Sequence, residues 1–184
     1  MLFRSVTDSI YRLTIEVRQG VKGDEARLEA IRTGEQFINE HYSLFEQYSG
    51  SCQFKFKKAS EIEQQSEFNI YYEQLESLYK KNESFQGLVN LFAQKYLNRV
   101  QQLETEQLDE LRQHLGITYL LEESALNACL VKQGWLVVVY PGSIKTFEDI
   151  SEGLHPEVPL PLQQMILVRL RLRKRTSKSG RKLQ

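Results

Sequence analysis

The sequence predicts an α/β fold, a mostly parallel sheet flanked by helices, and three features carry that expectation. Strand-like alternation, a long amphipathic stretch and a second alternation follow one another near the start. The middle of the chain repeats its apolar residues at helical spacing, and Trp135 to Tyr140 is apolar without alternation, as in a strand covered on both faces. With 184 residues, 41% hydrophobic and 26% charged, the chain has the composition of one ordinary water-soluble domain. We assign that domain to residues 1–168 and a basic tail to 169–184.

From Tyr11 to Arg18 the residues alternate, with Tyr11, Leu13, Ile15 and Val17 on one face and Arg12, Thr14, Glu16 and Arg18 on the other. The pattern predicts a strand with one wet face. After Gly20 and Gly23, Asp24 can cap a helix running to about Gln47, with Leu28, Ile31, Ile38, Tyr42 and Phe45 as its apolar stripe. Cys52, Phe54 and Phe56 then alternate with Gln53, Lys55 and Lys57 in a second strand. Strand, helix and strand in this order make a βαβ unit with parallel strands.

Ser60 and Glu63 have capping-box spacing, while Ser66 and Asn82 can each start a helix. Phe68, Tyr71, Tyr72, Leu75, Leu78 and Tyr79 fill the first of these helices; Phe85, Val89, Phe92 and Tyr96 fill the second. Thr105 begins a further helical segment through Leu115 and Tyr119 to about Leu126, with a stop at Gly134. Pro156, Pro159 and Pro161 mark an extended loop, and Met165 to Arg175 reads as a last strand entering the tail.

Charge is segregated. Lys and Arg number 24 and so do Asp and Glu, but residues 169–184 hold eight of the cations, Arg169, Arg171, Arg173, Lys174 and Arg175 among them, and no acid. The tail is an anion-seeking field for which RNA phosphate is the commonest target, although basic ends also serve only as solubilising segments. No apolar run approaches the eighteen or so residues of a membrane helix, and the N-terminus has no signal-peptide core, which places the protein in the cytoplasm. Cys52 and Cys129 read as isolated buried thiols, and His41, His114 and His155 are too scattered for a metal site, so no cofactor is expected. Glycine-rich phosphate loops, GxSxG, HExxH and CxxC are all absent.

One constellation remains. Tyr119 and Glu123, four apart, share a helix face, and Tyr140 ends the apolar strand. A phenol and a carboxylate side by side can hold an ammonium group, and a second phenol can relay a proton. The competing reading makes Tyr119 a core residue and Glu123 its solvated neighbour.

Gly116 to Leu126, GITYLLEESAL, followed by WLVVVYPG, resembles the catalytic half of tRNA-dependent cyclodipeptide synthases (CDPS), in the branch where Tyr140 is followed by Pro141. The resemblance implies a Rossmann-like fold similar to the catalytic domain of class I aminoacyl-tRNA synthetases, and an aminoacyltransferase drawing on aminoacyl-tRNA. It implies that Tyr119 and Glu123 hold the substrate amino group while Tyr140 assists proton transfer beside a serine nucleophile. The family places that serine in a Gly-x-Ser segment, and none precedes the strand expected at Tyr11, so the first βα unit is expected to be missing. Ser143 is then the first candidate nucleophile. The long helix is acidic, with Glu25, Glu29, Glu35, Glu40 and Glu46, where the family's is basic. The sequence-level expectation is a degenerate, inactive CDPS-like protein, or alternatively a non-catalytic protein binding RNA or a protein partner. Loss of a central strand would leave two half-sheets with open edges, closed up or filled by a strand from another chain, such as a second copy in a homo-oligomer.

Overall fold

A computed structural model describes residues 2–47, 50, 54–100, 109–139 and 145–167. Strand β1 (Leu2–Val6) leads into helices α1 (Arg12–Gln19) and α2 (Gly23–Glu46) and returns as β2 (Phe54–Lys58). The strands pair in parallel, from Leu2 opposite Phe54 to Val6 opposite Lys58. Helices α3 (Ala59–Ile62), α4 (Ser66–Lys81), α5 (Glu83–Val100) and α6 (Asp109–Lys132) follow. The chain continues through β3 (Val138–Val139), α7 (Lys145–Ser151), α8 (Leu160–Gln163) and β4 (Ile166–Leu167). β4 pairs in parallel with β3.

The expected Rossmann-like, mostly parallel sheet is therefore corrected. Among the described residues the protein is mainly helical, and its strands form two separate two-stranded pairs. The Trp135–Tyr140 run contributes two residues of strand to this description, with Trp135 half-buried and Leu136 exposed ahead of them. The βαβ unit exists, but its first strand lies in the residues before Tyr11 rather than from Tyr11 onward.

Residues 12–19 are a helix for a physical reason that alternation hides. Ile10, Leu13 and Val17 recur at helical spacing and enter the main core, while Ile15 packs on the other side against Ala26 and Ala30 of α2. A short helix with apolar contacts on two sides spreads its hydrophobic residues until they mimic a period of two. Gly20, at φ +71°, ends the helix in the left-handed conformation, its N–H donating to the Glu16 carbonyl.

Helix α2 keeps its expected span but not its expected stripe. Its buried residues are Ala26, Ala30 and Gly34, whereas Leu28 and Tyr42 are exposed. The small residues let α2 approach the loop after β1, where a Cβ on Gly34 would lie 2.5 Å from Asp8 Cβ. Asp8 cannot yield easily, since it is buried and accepts hydrogen bonds from the Ser60 N–H at 3.0 Å and the Ser60 hydroxyl at 2.6 Å. Asp8, rather than Ser60 itself, thus satisfies the start of α3. Gly34→Ala should cost about 1–3 kcal/mol by overpacking, measurable as a lower urea midpoint with an unchanged m-value. An unshifted midpoint would mean that α2 can move away from the loop.

Asn82 caps α5 as expected, accepting from the Phe85 N–H at 2.9 Å. α4 begins at Ser66, and α6 runs on to Lys132 before the turn at Gly134, longer than its apolar stripe suggested. Thr105 and Cys52 lie outside the described residues. α6 packs against α1, α3, α4, α5 and α8 and so forms the axis of the main core, which includes Leu75, Phe85, Val89, Leu120, Leu126, Leu130 and Phe147. Cys129 is a buried thiol. Among the described residues no helix is long and apolar enough to cross a membrane.

Candidate functional site

The site is built on α6, with α5 and α1 beside it. Tyr119 is half-buried and stacks on Tyr96 of α5, ring centroids 4.7 Å apart, and more distantly on Phe92 at 6.2 Å. The Tyr96 hydroxyl is 2.6 Å from the Thr14 hydroxyl of α1. Burial is the main reason the Tyr96 phenol is pushed up to about 12; the Thr14 hydrogen bond and the Arg18 charge oppose it, and Tyr11 and Glu123 add to it.

Glu123 follows Tyr119 by one turn, hence on the same face of α6. Its Oε2 is sealed from solvent and has no hydrogen-bond partner among the described residues. Desolvation alone raises the carboxyl to about 7. Its neighbour Glu122 is treated differently. Arg12 of α1 reaches Glu122 with both arms, Nη1 to Oε2 at 2.8 Å and Nη2 to Oε1 at 2.5 Å, and Nη1 also donates to the Ser9 carbonyl at 3.1 Å. Burial raises the Glu122 carboxyl despite the opposing Arg12 hydrogen bonds. Of two adjacent carboxylates, one holds a fixed cation and the other has an open oxygen.

An unpartnered buried carboxyl is costly unless a ligand supplies the missing donor. A primary ammonium is the simplest such ligand, and the neighbouring ring faces would add cation–π attraction. Spacing in the sequence singled out Tyr119 and Glu123, both carried by α6, as a pair on one helix face. It missed Phe92 and Tyr96, which stood only as core residues of the preceding helix, and it missed Thr14 and Arg12, assigned to the wet face of a strand. Tyr140, Ser143 and the tail cations Arg169, Arg171, Arg173, Lys174 and Arg175 lie outside the described residues.

Hollows lined by described residues lie elsewhere. One, of about 380 Å³, opens between α4 and α6 and is lined by Tyr72, Tyr79, His114, Ile117 and Leu121 among others. The second, of about 250 Å³, sits at the carboxyl end of β1 beside Asp8, Tyr11 and Gly34. Among the described residues no cluster of three or more His, Cys, Asp or Glu could hold a metal ion. The two α2 arginines are engaged by acids, Arg27 with Glu63 at 2.7 Å and Arg32 with Glu29 at 2.9 Å.

Among the described residues, fold and site together define a helical protein with two parallel strand pairs and, on its central helix, a carboxylate with one unpartnered oxygen. In structure the chain is similar to a CDPS from Fluoribacter dumoffii, with a TM-score of 0.74 at 20% identity over 92% of this chain and 75% of that one. The likeness is one of fold. No protein-family model matches the sequence, and no curated protein matches it.

Proposed function

We propose that this chain is a cyclodipeptide-synthase-like protein whose Tyr119–Glu123 pair receives the amino group of an aminoacyl moiety. The observation that carries the reading is the Oε2 of Glu123, shielded from solvent and unpartnered among the described residues, one helical turn from a stacked tyrosine, in a chain folded like a CDPS. In this reading Tyr140 relays a proton near the reacting carbonyl, and aminoacyl-tRNA delivers the ligand. The 184-residue chain is proposed not to complete the synthesis. A covalent aminoacyl intermediate needs a nucleophile placed at the reacting carbonyl, and this sequence contains no Gly-x-Ser triplet of the kind that carries it in the family it resembles.

Calorimetric titration with an amino acid methyl ester should show binding that Glu123→Gln weakens at least tenfold; equal binding by the variant would sink the pocket. Expression in a bacterial host with mass spectrometry of the medium should reveal no cyclic dipeptide. A product dependent on Tyr119 or Glu123 would instead make the chain an enzyme, with Ser143 the first nucleophile to replace.

Charge segregation favours a second reading, a non-catalytic protein that docks RNA through its tail. Each phosphate contact contributes a slope of about 0.7–0.9 in log affinity against log salt, so truncation after Val168 should abolish a steep salt dependence of tRNA binding. Undiminished binding by the truncated chain would remove the tail from this role.

A further inference from the structure

Helix α1 touches both helices that carry the site. Arg12 and Thr14 are two positions apart and so leave the helix on different sides. Arg12 grips Glu122 of α6, the residue before Glu123, and Thr14 meets the Tyr96 hydroxyl of α5, against whose ring Tyr119 stacks. Arg12 is itself held in place by the Ser9 carbonyl, and the Ser9 hydroxyl is tied to Glu63, which Arg27 of α2 also binds. A polar chain thus runs from α2 past α3 to α6 and stops one residue short of Glu123.

We propose that α1 is the positioning element of the site: the Arg12 fork fixes the rotation of α6 so that Glu123 keeps its Oε2 out of water, and Thr14 fixes the ring that supports Tyr119. The fork matters more than the charge. A guanidinium engages both carboxylate oxygens in one plane and sets the Glu122 side chain in a single orientation, which an ammonium on a flexible stem does not. Glu122 and Glu123 are about 100° apart around the helix, so a grip on the first determines where the second points. Because Arg12 is spent on Glu122, Glu123 is left for a ligand. The positioning claim stands apart from the identity of that ligand, and only the ester measurement below rests on the amino-group reading.

Two variants test it. Arg12→Lys keeps the charge and loses the fork. Arg12→Met combined with Glu122→Leu removes both charges and strands neither, a replacement that buried pairs often tolerate. The readout is the titration of the Glu123 carboxyl carbon by NMR in the folded protein, assigned by its disappearance in Glu123→Gln. Both variants should lower the midpoint by about one pH unit or more, toward an ordinary carboxylate, as the side chain gains water. A purely electrostatic role gives another result: the lysine leaves the midpoint in place, and loss of the cation does not lower it. A folded paired variant that still titrates near 7 overturns the proposal, whatever the lysine variant does. Thr14→Val, nearly isosteric, should shift the ring resonances of Tyr119 through Tyr96, and unchanged Tyr119 resonances would remove Thr14 from the device. Amino acid methyl ester affinity should fall about tenfold or more in the paired variant. If the wild type binds no ester, the amino-group reading fails while the titration still decides the positioning.

Discussion

Glu123→Gln should flatten the dependence of stability on pH between about 4.5 and 7, where the natural chain is expected to lose about 3 kcal/mol. The carboxyl is raised from 4.5 to about 7 by folding, so in this window the folded state binds more protons than the unfolded one. Stability linked to Glu123 is fully present below the unfolded value and is lost as pH rises through the folded value. Glutamine does not titrate. The stability gap between the two proteins, measured by urea unfolding at a series of pH values, should therefore shift in favour of the variant by about that amount from pH 4.5 to pH 8. A constant gap would mean that the carboxyl is hydrated in solution. A bound ammonium should reverse the trend, since it favours the ionised carboxylate, and for an α-amino group it should bind best in the window of about pH 7–8, where the carboxyl is ionised and the amine still protonated.

Arg12→Ala should be strongly destabilising at neutral pH, costing about 3 kcal/mol. The Arg12 and Glu122 side chains are only 19% and 11% exposed, so removing the guanidinium leaves a carboxylate that water reaches poorly. Without Arg12 the Glu122 carboxyl rises further, and the penalty shrinks as acid supplies a proton in place of the lost cation. Replacing both partners by apolar residues should cost far less than the single change. Comparable losses in the single and paired variants would show that packing by the arginine stem, not the charge left behind, accounts for the effect.

The sequence revealed most where a residue's neighbours in space are also its neighbours along one helix. Tyr119 and Glu123 share a face of α6 by spacing alone, and Asn82 announces α5 by the local need for a cap. Parallel pairing around a helical crossover is present, but its first strand is Leu2–Val6 and not the Tyr11–Arg18 segment to which element order assigned it. The sheet was misjudged because the alternation of Tyr11 to Val17 belongs to a helix whose two sides meet different clusters, a tertiary fact absent from the local pattern. The α2 stripe was misjudged for the opposite reason, since close approach there favours Ala26, Ala30 and Gly34 over the larger Leu28 and Tyr42. Tyr96 carried no distinguishing signal, because its place beside Tyr119 depends on how α5 crosses α6. Arg12 was invisible as a partner of Glu122, 110 positions away.

Because the open carboxylate lies on the helix against which α1, α3, α4, α5 and α8 all pack, filling it should be felt by the whole molecule. A ligand that binds the folded chain and not the unfolded one stabilises it by mass action, about 2.7 kcal/mol at a hundredfold excess over its dissociation constant. Melting temperature thus becomes a report of occupancy. Candidate amines can be ranked by thermal shift on the unmodified protein, with Glu123→Gln as the blank, before any reaction is known.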